Sequence, residues 1–299
     1  MTKLKIIMPI PSRDFDPTEV AVSWRILRDA GHEIDFATPD GKQGHADPMM
    51  ISGEGLDPWA WLPGLKKIRL IGLLLRADRC GRQAYRALEQ DPRFLNPKSW
   101  DALKVDDYDA MVLAGGHAKG MKPYLESKVL QDFVADFFDT TDARGRHKPV
   151  AAVCHGVVLA ARSLSKKTGK SVLFGRKTTA LTWKLESTAW RLSKYLVRFW
   201  DAGYYRTYDE APGEPAGYRS VEMEIKRALA QDSDFVDVAA DAPDYRAKTS
   251  GMARDRIDDA RPAWVVRDGQ YISARWPGDV HTFAQQFVTL LDQHYTART

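Results

Sequence analysis

A cysteine and a histidine stand side by side at positions 154 and 155, inside "PVAAVCHGVVLA" (149–160). Apolar runs flank the pair and Gly156 follows it. An apolar strand that breaks at a cysteine and resumes as a helix presents that side chain at the tip of a tight turn. This is the geometry of a nucleophile elbow, whose familiar form carries glycine two places either side of the nucleophile. Gly156 fills the later position and Ala152 stands at the earlier one. The free N–H groups of a helix N-terminus favour thiolate, so the position predicts a lowered thiol pKa. The bland alternative makes Cys154 a small buried hydrophobe, as free cysteines often are. Two other places could serve the same chemistry. In "LAGGHAKG" (113–120), Gly115, Gly116 and His117 close another apolar run. Backbone N–H groups there, with that of His155, could face Cys154 as an oxyanion hole. Glu19 lies just past the first apolar run, where a glutamate otherwise reads as an ordinary helix N-terminal residue.

These residues need a frame, and the chain alternates short apolar strands with amphipathic helices. Strands are expected at 4–10, 32–38, 108–116 and 149–153, and helices at 18–31, 127–140 and from Gly156 onward. The 127–140 helix places Val129, Leu130, Phe133, Val134 and Phe137 on one face. "AWVVRDGQYISA" (263–274) reads as two strands around Asp268-Gly269, followed by a closing helix over 279–295. Such alternation predicts an α/β fold, a doubly wound, mostly parallel sheet covered on both faces. Ligands in such sheets bind beyond the carboxyl ends of the strands, where Cys154, the glycine pair and Glu19 all fall. Three stretches break the rhythm, at about 55–100, 187–220 and 241–262. None has the apolar periodicity for a core of its own. They are therefore expected to be helical insertions on one domain spanning 1–299, the first two either as a lid or as helices packed on the sheet edge.

Bulk properties exclude several classes. The 299 residues carry a net charge of +4, with no concentrated basic stripe to hold nucleic acid. Cys80 and Cys154 lie too far apart in sequence for a CxxC pair, so neither a disulfide framework nor a cysteine zinc site is expected. His32, His45 and His117 lack ligand spacing, so no metal is expected. No GxGxxG or Walker sequence points to a nucleotide, and no cofactor is expected. The longest apolar run, "LIGLLL" (70–75), is too short for a membrane span. A cytoplasmic protein is the expectation.

"TEVAVSWRILRDAGHEIDFATPDG", "YDAMVLAGGHAKG" and "AAVCHGVVLAA" together resemble the DJ-1/PfpI superfamily, whose fold is flavodoxin-like and shared with class I glutamine amidotransferases. The last stretch is close to that family's A-x-C-H-G-P-x-x-L elbow, with Val157 in place of Pro. The resemblance covers roughly 3–54, 100–182 and 263–294, and looks most like the Hsp31-like and glyoxalase III-like (ThiJ) branch. It implies Cys154 as nucleophile, His155 as its acid–base partner and Glu19 as the carboxylic acid bonded to the sulfur. It implies oxyanion N–H groups at Gly116 and His155, in a loop with Gly115 and His117. It offers Glu186, in "ALTWKLEST", as a third triad member. Trp276 and Asp279, in "RWPGDVH", depart from the family pattern and could reshape the pocket. The expected function is a cysteine-dependent lyase or hydrolase acting on a small carbonyl or amide, foremost the cofactor-independent conversion of a 2-oxoaldehyde to a hydroxy acid. A stress chaperone or thiol redox sensor, and a glutamine amidotransferase-type amidase, are the alternatives. The resemblance leaves room for a homodimer.

Overall fold

The computed structural model describes residues 2–142 and 144–296. Nine strands form: β1 (Lys5–Pro9), β2 (Arg13–Phe15), β3 (Glu33–Thr38), β4 (His45–Ala46), β5 (Lys98–Ser99), β6 (Ala110–Leu113), β7 (Val150–Val153), β8 (Val265–Asp268) and β9 (Tyr271–Ala274). Seven of them make one sheet in the order β5-β3-β1-β6-β7-β9-β8, and β2 pairs with β4 apart from it. All neighbours in the large sheet run parallel except β8 and β9, the hairpin expected at Asp268-Gly269. "AMVL" and "VAAV" have no polar alternation because β6 and β7 are covered on both faces, and every residue in them is buried. The doubly wound expectation therefore stands.

Twelve helices accompany the strands. Before the sheet centre come α1 (Pro17–Asp29), α2 (Pro48–Ser52), α3 (Ile71–Leu75), α4 (Arg79–Leu88) and α5 (Pro92–Leu95). Around it lie α6 (Lys122–Glu126), α7 (Lys128–Asp139), α8 (Gly156–Arg162) and α9 (Trp183–Tyr195), and then α10 (Val221–Ala228), α11 (Tyr245–Thr249) and α12 (Val280–Thr296). α1 buries Val20, Trp24 and Leu27 and packs against α4 and α12. Its start is set by Asp16, whose carboxylate accepts the N–H groups of Thr18 and Glu19 at 2.8 and 3.0 Å, and by Pro17 in the first turn. α7 corrects one expectation. Leu130, Phe133, Val134 and Phe137 are buried with Ala135 and Phe138, but Val129 is 52% exposed. The apolar stripe is wide enough without it, and rotates past Val129 towards Phe138.

β1 is the switch point of the winding. From β1 the chain passes to β3 on one side, then returns to lay β6 on the other. Loops leaving β1 and β6 therefore diverge above the sheet and leave a crevice between them, which is where such folds hold ligands.

Candidate active site

Three loops at the carboxyl ends of β1, β6 and β7 build the floor of this crevice. The Asp16 N–H donates to the Gly115 carbonyl at 2.9 Å, which ties the loop after β1 to the loop after β6. The Gly115 N–H in turn donates to Glu19 Oε2 at 2.7 Å. A side chain at Gly115 would put its Cβ 2.6 Å from the His155 nitrogen and 3.0 Å from Glu19 Oε2, so only glycine fits. A Cβ at Gly156 would overlap the Leu113 carbonyl. Those two glycines let three loops close on one point. Cys154 sits there with φ +55°, a left-handed conformation, and its N–H donates to the Ala274 carbonyl at 3.2 Å. The turn is thus the tight strand–turn–helix that the sequence pattern suggested, and Cys154 faces the crevice although only 4% of it is exposed.

The sulfur lies 3.4 Å from His155 Nδ1. The other ring nitrogen, Nε2, is 2.9 Å from Thr207 Oγ1, and that hydroxyl donates to the His117 carbonyl at 2.8 Å. A threonine hydroxyl has one proton and a carbonyl can only accept, so the Thr207 proton is committed to His117. Thr207 must then accept from His155, which fixes the proton on Nε2 and leaves the Nδ1 lone pair towards the sulfur. Burial pushes the His155 imidazole down to about 3, so it is neutral at physiological pH and free to accept a proton. No pattern around Thr207 marks it in the sequence; it arrives from the 187–220 insertion.

Glu19 is fully buried, and burial, with Asp16 adding like charge, raises its pKa well above the usual carboxylate range. Both causes favour its protonated form. Burial also raises the Cys154 thiol, and the charges of Glu19 and Asp16 add to this, while the His155 N–H acts in the opposite direction. The expected lowering of the thiol pKa is corrected. The helix behind it, α8, is only seven residues long, and its dipole does not offset the loss of water around the sulfur. A protonated Glu19 removes one of the two negative charges that oppose thiolate.

The remaining expected residues are placed as follows. The Gly116 N–H has no hydrogen-bond partner among the described residues, and Gly116 and His117 both line the crevice. The His117 ring is stacked on Tyr205 at 4.6 Å and meets Tyr204 edge-on at 4.8 Å, and burial lowers its pKa. Glu186 is buried in the first turn of α9, but it does not bond His155. Its Oε1 is 2.9 Å from Arg206 Nε and its Oε2 accepts the Val221 N–H at 3.0 Å. The position expected of Glu186, behind the histidine, belongs to Thr207. Trp276 lines the crevice, as expected, whereas Asp279 is locked in a buried pair with Arg275 at 2.8 Å.

Above the floor the crevice is a cavity of about 250 Å³. All three insertions wall it: Leu74 and Leu75 from the first, Ala189 and Leu192 from the second, and Met252 and Arg254 from the third. Each of the three thus borders the cavity. Four side-chain atoms of its lining are buried and lack a close hydrogen bond among the described residues, Glu19 Oε1, His117 Nε2, Arg254 Nη1 and Trp276 Nε1, although His117 Nε2 stands 3.8 Å from Asp47 Oδ2 and the Glu19 carboxyl interacts with the Cys154 thiol. No group of three or more His, Cys, Asp or Glu with metal-binding geometry occurs among the described residues. No helix of the described residues is long and apolar enough to cross a membrane.

Comparison with known proteins agrees with this architecture. A family model described as "ThiJ/PfpI family-like" matches residues 10–211. An uncharacterised protein of Schizosaccharomyces pombe, C14C4.04, is 21% identical over 162 residues, covering 54% of this chain and 55% of the relative. The chain thus spans about half the length of that curated relative. Among solved structures, the Rapid Encystment Protein 24 KDa of Francisella tularensis superposes with a TM-score of 0.60 at 15% identity, covering 97% of this chain and 99% of that one. Glyoxalase III from Candida albicans superposes with a TM-score of 0.53 at 18% identity, covering 96% and 97%. At such identities the superpositions establish the fold.

Proposed function

The chain belongs to the ThiJ/PfpI-like family, and from that premise we propose that it converts a 2-oxoaldehyde to a 2-hydroxy acid through Cys154, a cofactor-independent, glyoxalase III-like reaction. One observation carries the reading: the Cys154 sulfur faces the cavity, 3.4 Å from a histidine nitrogen whose lone pair is free. The Candida neighbour's named activity agrees with it.

The steps balance with the groups present. The sulfur bonds the aldehyde carbon while His155 Nδ1 takes the thiol proton. The carbonyl electron pair moves to oxygen, met by the N–H groups of Gly116 and His155, and His155 returns the proton to give a hemithioacetal. His155 then removes the proton on that carbon as Glu19 gives its own to the neighbouring ketone oxygen, forming an enediol. Reprotonation of the second carbon by His155, with return of the hydroxyl proton to Glu19, leaves a thioester. Water adds to it, the sulfur–carbon bond breaks, and sulfur regains a proton. One carbon is oxidised as its neighbour is reduced, so no outside oxidant or reductant enters. Arg254 Nη1 and Trp276 Nε1 are donors suited to the substrate's second oxygen, which a simple aldehyde or amide lacks.

A second reading, a holdase chaperone, draws on exposed apolar side chains of the insertions. Trp61 is 56% and Phe199 50% exposed, and the two rings meet edge-on at 6.4 Å. One experiment separates the two readings. Lactate formation from methylglyoxal is measured for wild type and Cys154→Ala, alongside suppression of aggregation of an unfolding client. Turnover by wild type that falls at least about 10²-fold in the variant supports the enzyme. Client protection equal in both, with no lactate from either, would replace it with the chaperone.

A further inference from the structure

We infer that the substrate's aldehyde end is attached to a bulky apolar body, and that methylglyoxal is too small to be the compound this site is shaped for. This rests on the 2-oxoaldehyde reading and specifies the substrate class within it. The cavity volume of about 250 Å³ exceeds that of an apolar protein cavity of ~150 Å³ that holds benzene. Methylglyoxal is smaller than benzene, so it would occupy the floor and leave the upper walls without contact. Those walls are mostly aliphatic, and their polar members bond within the protein: the Thr188, Thr249 and Ser250 hydroxyls donate to carbonyls of their own helices, and Glu186 pairs with Arg206. Leu185, Ala189 and Leu192 follow one another at helical spacing along a single face of α9, and Leu75 and Leu181 also line the space. The rim is apolar too: Leu74 and Met252 belong to the lining yet are 72% and 66% exposed. The lining's buried polar atoms that lack a close hydrogen bond, Glu19 Oε1, His117 Nε2, Arg254 Nη1 and Trp276 Nε1, come from residues near Cys154 or from the two at Arg254 and Trp276, whose guanidinium and ring lie 5.4 Å apart. Asp16, beside Glu19, feels the charge of Arg254. The polar groups not already bonded within the protein therefore gather at the reacting end, and the leucines are left for a carbon chain. The substrate class that fits has two adjacent oxygens at one end and an aliphatic body of several carbons.

The test is a chain-length series of 2-oxoaldehydes, from methylglyoxal to 2-oxooctanal, followed by release of the 2-hydroxy acid. Each methylene that enters the cavity is expected to raise kcat/KM about fourfold, the equivalent of ~0.8 kcal/mol at ~1.36 kcal/mol per tenfold. The longest compound should exceed methylglyoxal by at least about tenfold even with part of its chain at the rim. Ala189→Trp fills the wall from the middle of α9, and Ala189→Leu does so more gently should the tryptophan disturb the fold, which melting curves would reveal. Either variant should shrink the ratio of 2-oxooctanal to methylglyoxal efficiency. A series that is flat or falls with length, while methylglyoxal is turned over, overturns the inference and leaves the reaction standing. A series in which no member gives a hydroxy acid removes the reaction, and the inference with it.

Discussion

Two helix first turns in this molecule each bury a glutamate, and they use it differently. Glu19 enters the floor on α1, behind the cap of Asp16; Glu186 enters the wall on α9, behind the cap of Thr182. Both carboxyls are pushed up by burial. Glu186 has a countercharge, the fully buried Arg206, whose guanidinium stands 5.1 and 5.7 Å from the rings of Trp183 and Trp190. Glu19 has no such countercharge: one oxygen accepts the Gly115 N–H at 2.7 Å, and the carboxyl hydrogen-bonds the Cys154 thiol. A buried carboxyl given an arginine and a backbone donor is a structural tie. One whose partner is a thiol is the carboxyl for which we propose proton exchange. The contrast teaches that burial and a raised pKa alone do not separate the two cases; the partner does.

The largest effect should come from breaking the floor. Glu19→Leu removes the proton carrier and should lower kcat by about 10²–10⁴-fold while the melting temperature stays within a few degrees. Steady-state rates on a 2-oxoaldehyde with a melting curve for each protein decide it. Unchanged turnover would make Glu19 as structural as Glu186. Next in size is the wall. Glu186→Ala leaves Arg206 with only Glu210, 2.6 Å away, and should cost roughly 3 kcal/mol of stability. Denaturant unfolding measures that loss, and joint replacement as Glu186→Leu with Arg206→Met should recover most of it. If the single change leaves stability intact but abolishes turnover, the two glutamates share one role after all.

The smallest effect is in pH. Burial raises the Glu186 carboxyl from 4.5 to about 7, with the Arg206 charge opposing but not offsetting it. A raised folded-state pKa means the folded protein holds a proton that the unfolded chain has shed. The stabilisation from this group is complete below pH 4.5 and is lost as pH rises through about 7. Glu186→Gln lacks that titration, so its stability relative to wild type should improve steadily between those two pH values. Unfolding curves at several pH values test this, and parallel profiles for the two proteins would contradict it.

The sheet and its helices were legible because each signal was local. "VAAV" and "AMVL" announce buried parallel strands, and Asp268-Gly269 announces a hairpin. The edge strand β5 was missed because two residues make no pattern. The same division runs through the site. Cys154, His155, Gly115 and Gly116 sit in turns whose chemistry is written in adjacent residues, whereas Glu19 needed a family resemblance to stand out from any helix-capping glutamate. The resemblance offered Glu186 as a third triad member, but its partner in the structure, Arg206, lies twenty residues on in an insertion, and so does the Thr207 that takes the place behind His155. Nothing local fixes where an insertion folds back, so the groups it delivers emerge only in three dimensions. The thiol's environment was misjudged for a related reason: the turn predicted a helix dipole, and burial by distant walls outweighed it.

The left-handed backbone at Cys154 has one further consequence, for the chain's history. A side chain in that conformation costs about 1–2 kcal/mol relative to glycine. The position is therefore under two opposed pressures, one from chemistry and one from folding. Replacing Cys154 with glycine would relieve that cost but would also empty its place in the buried core, so the backbone and the core pull in opposite directions. Persistence of a cysteine in so unfavourable a backbone conformation is what selection for its sulfur would look like.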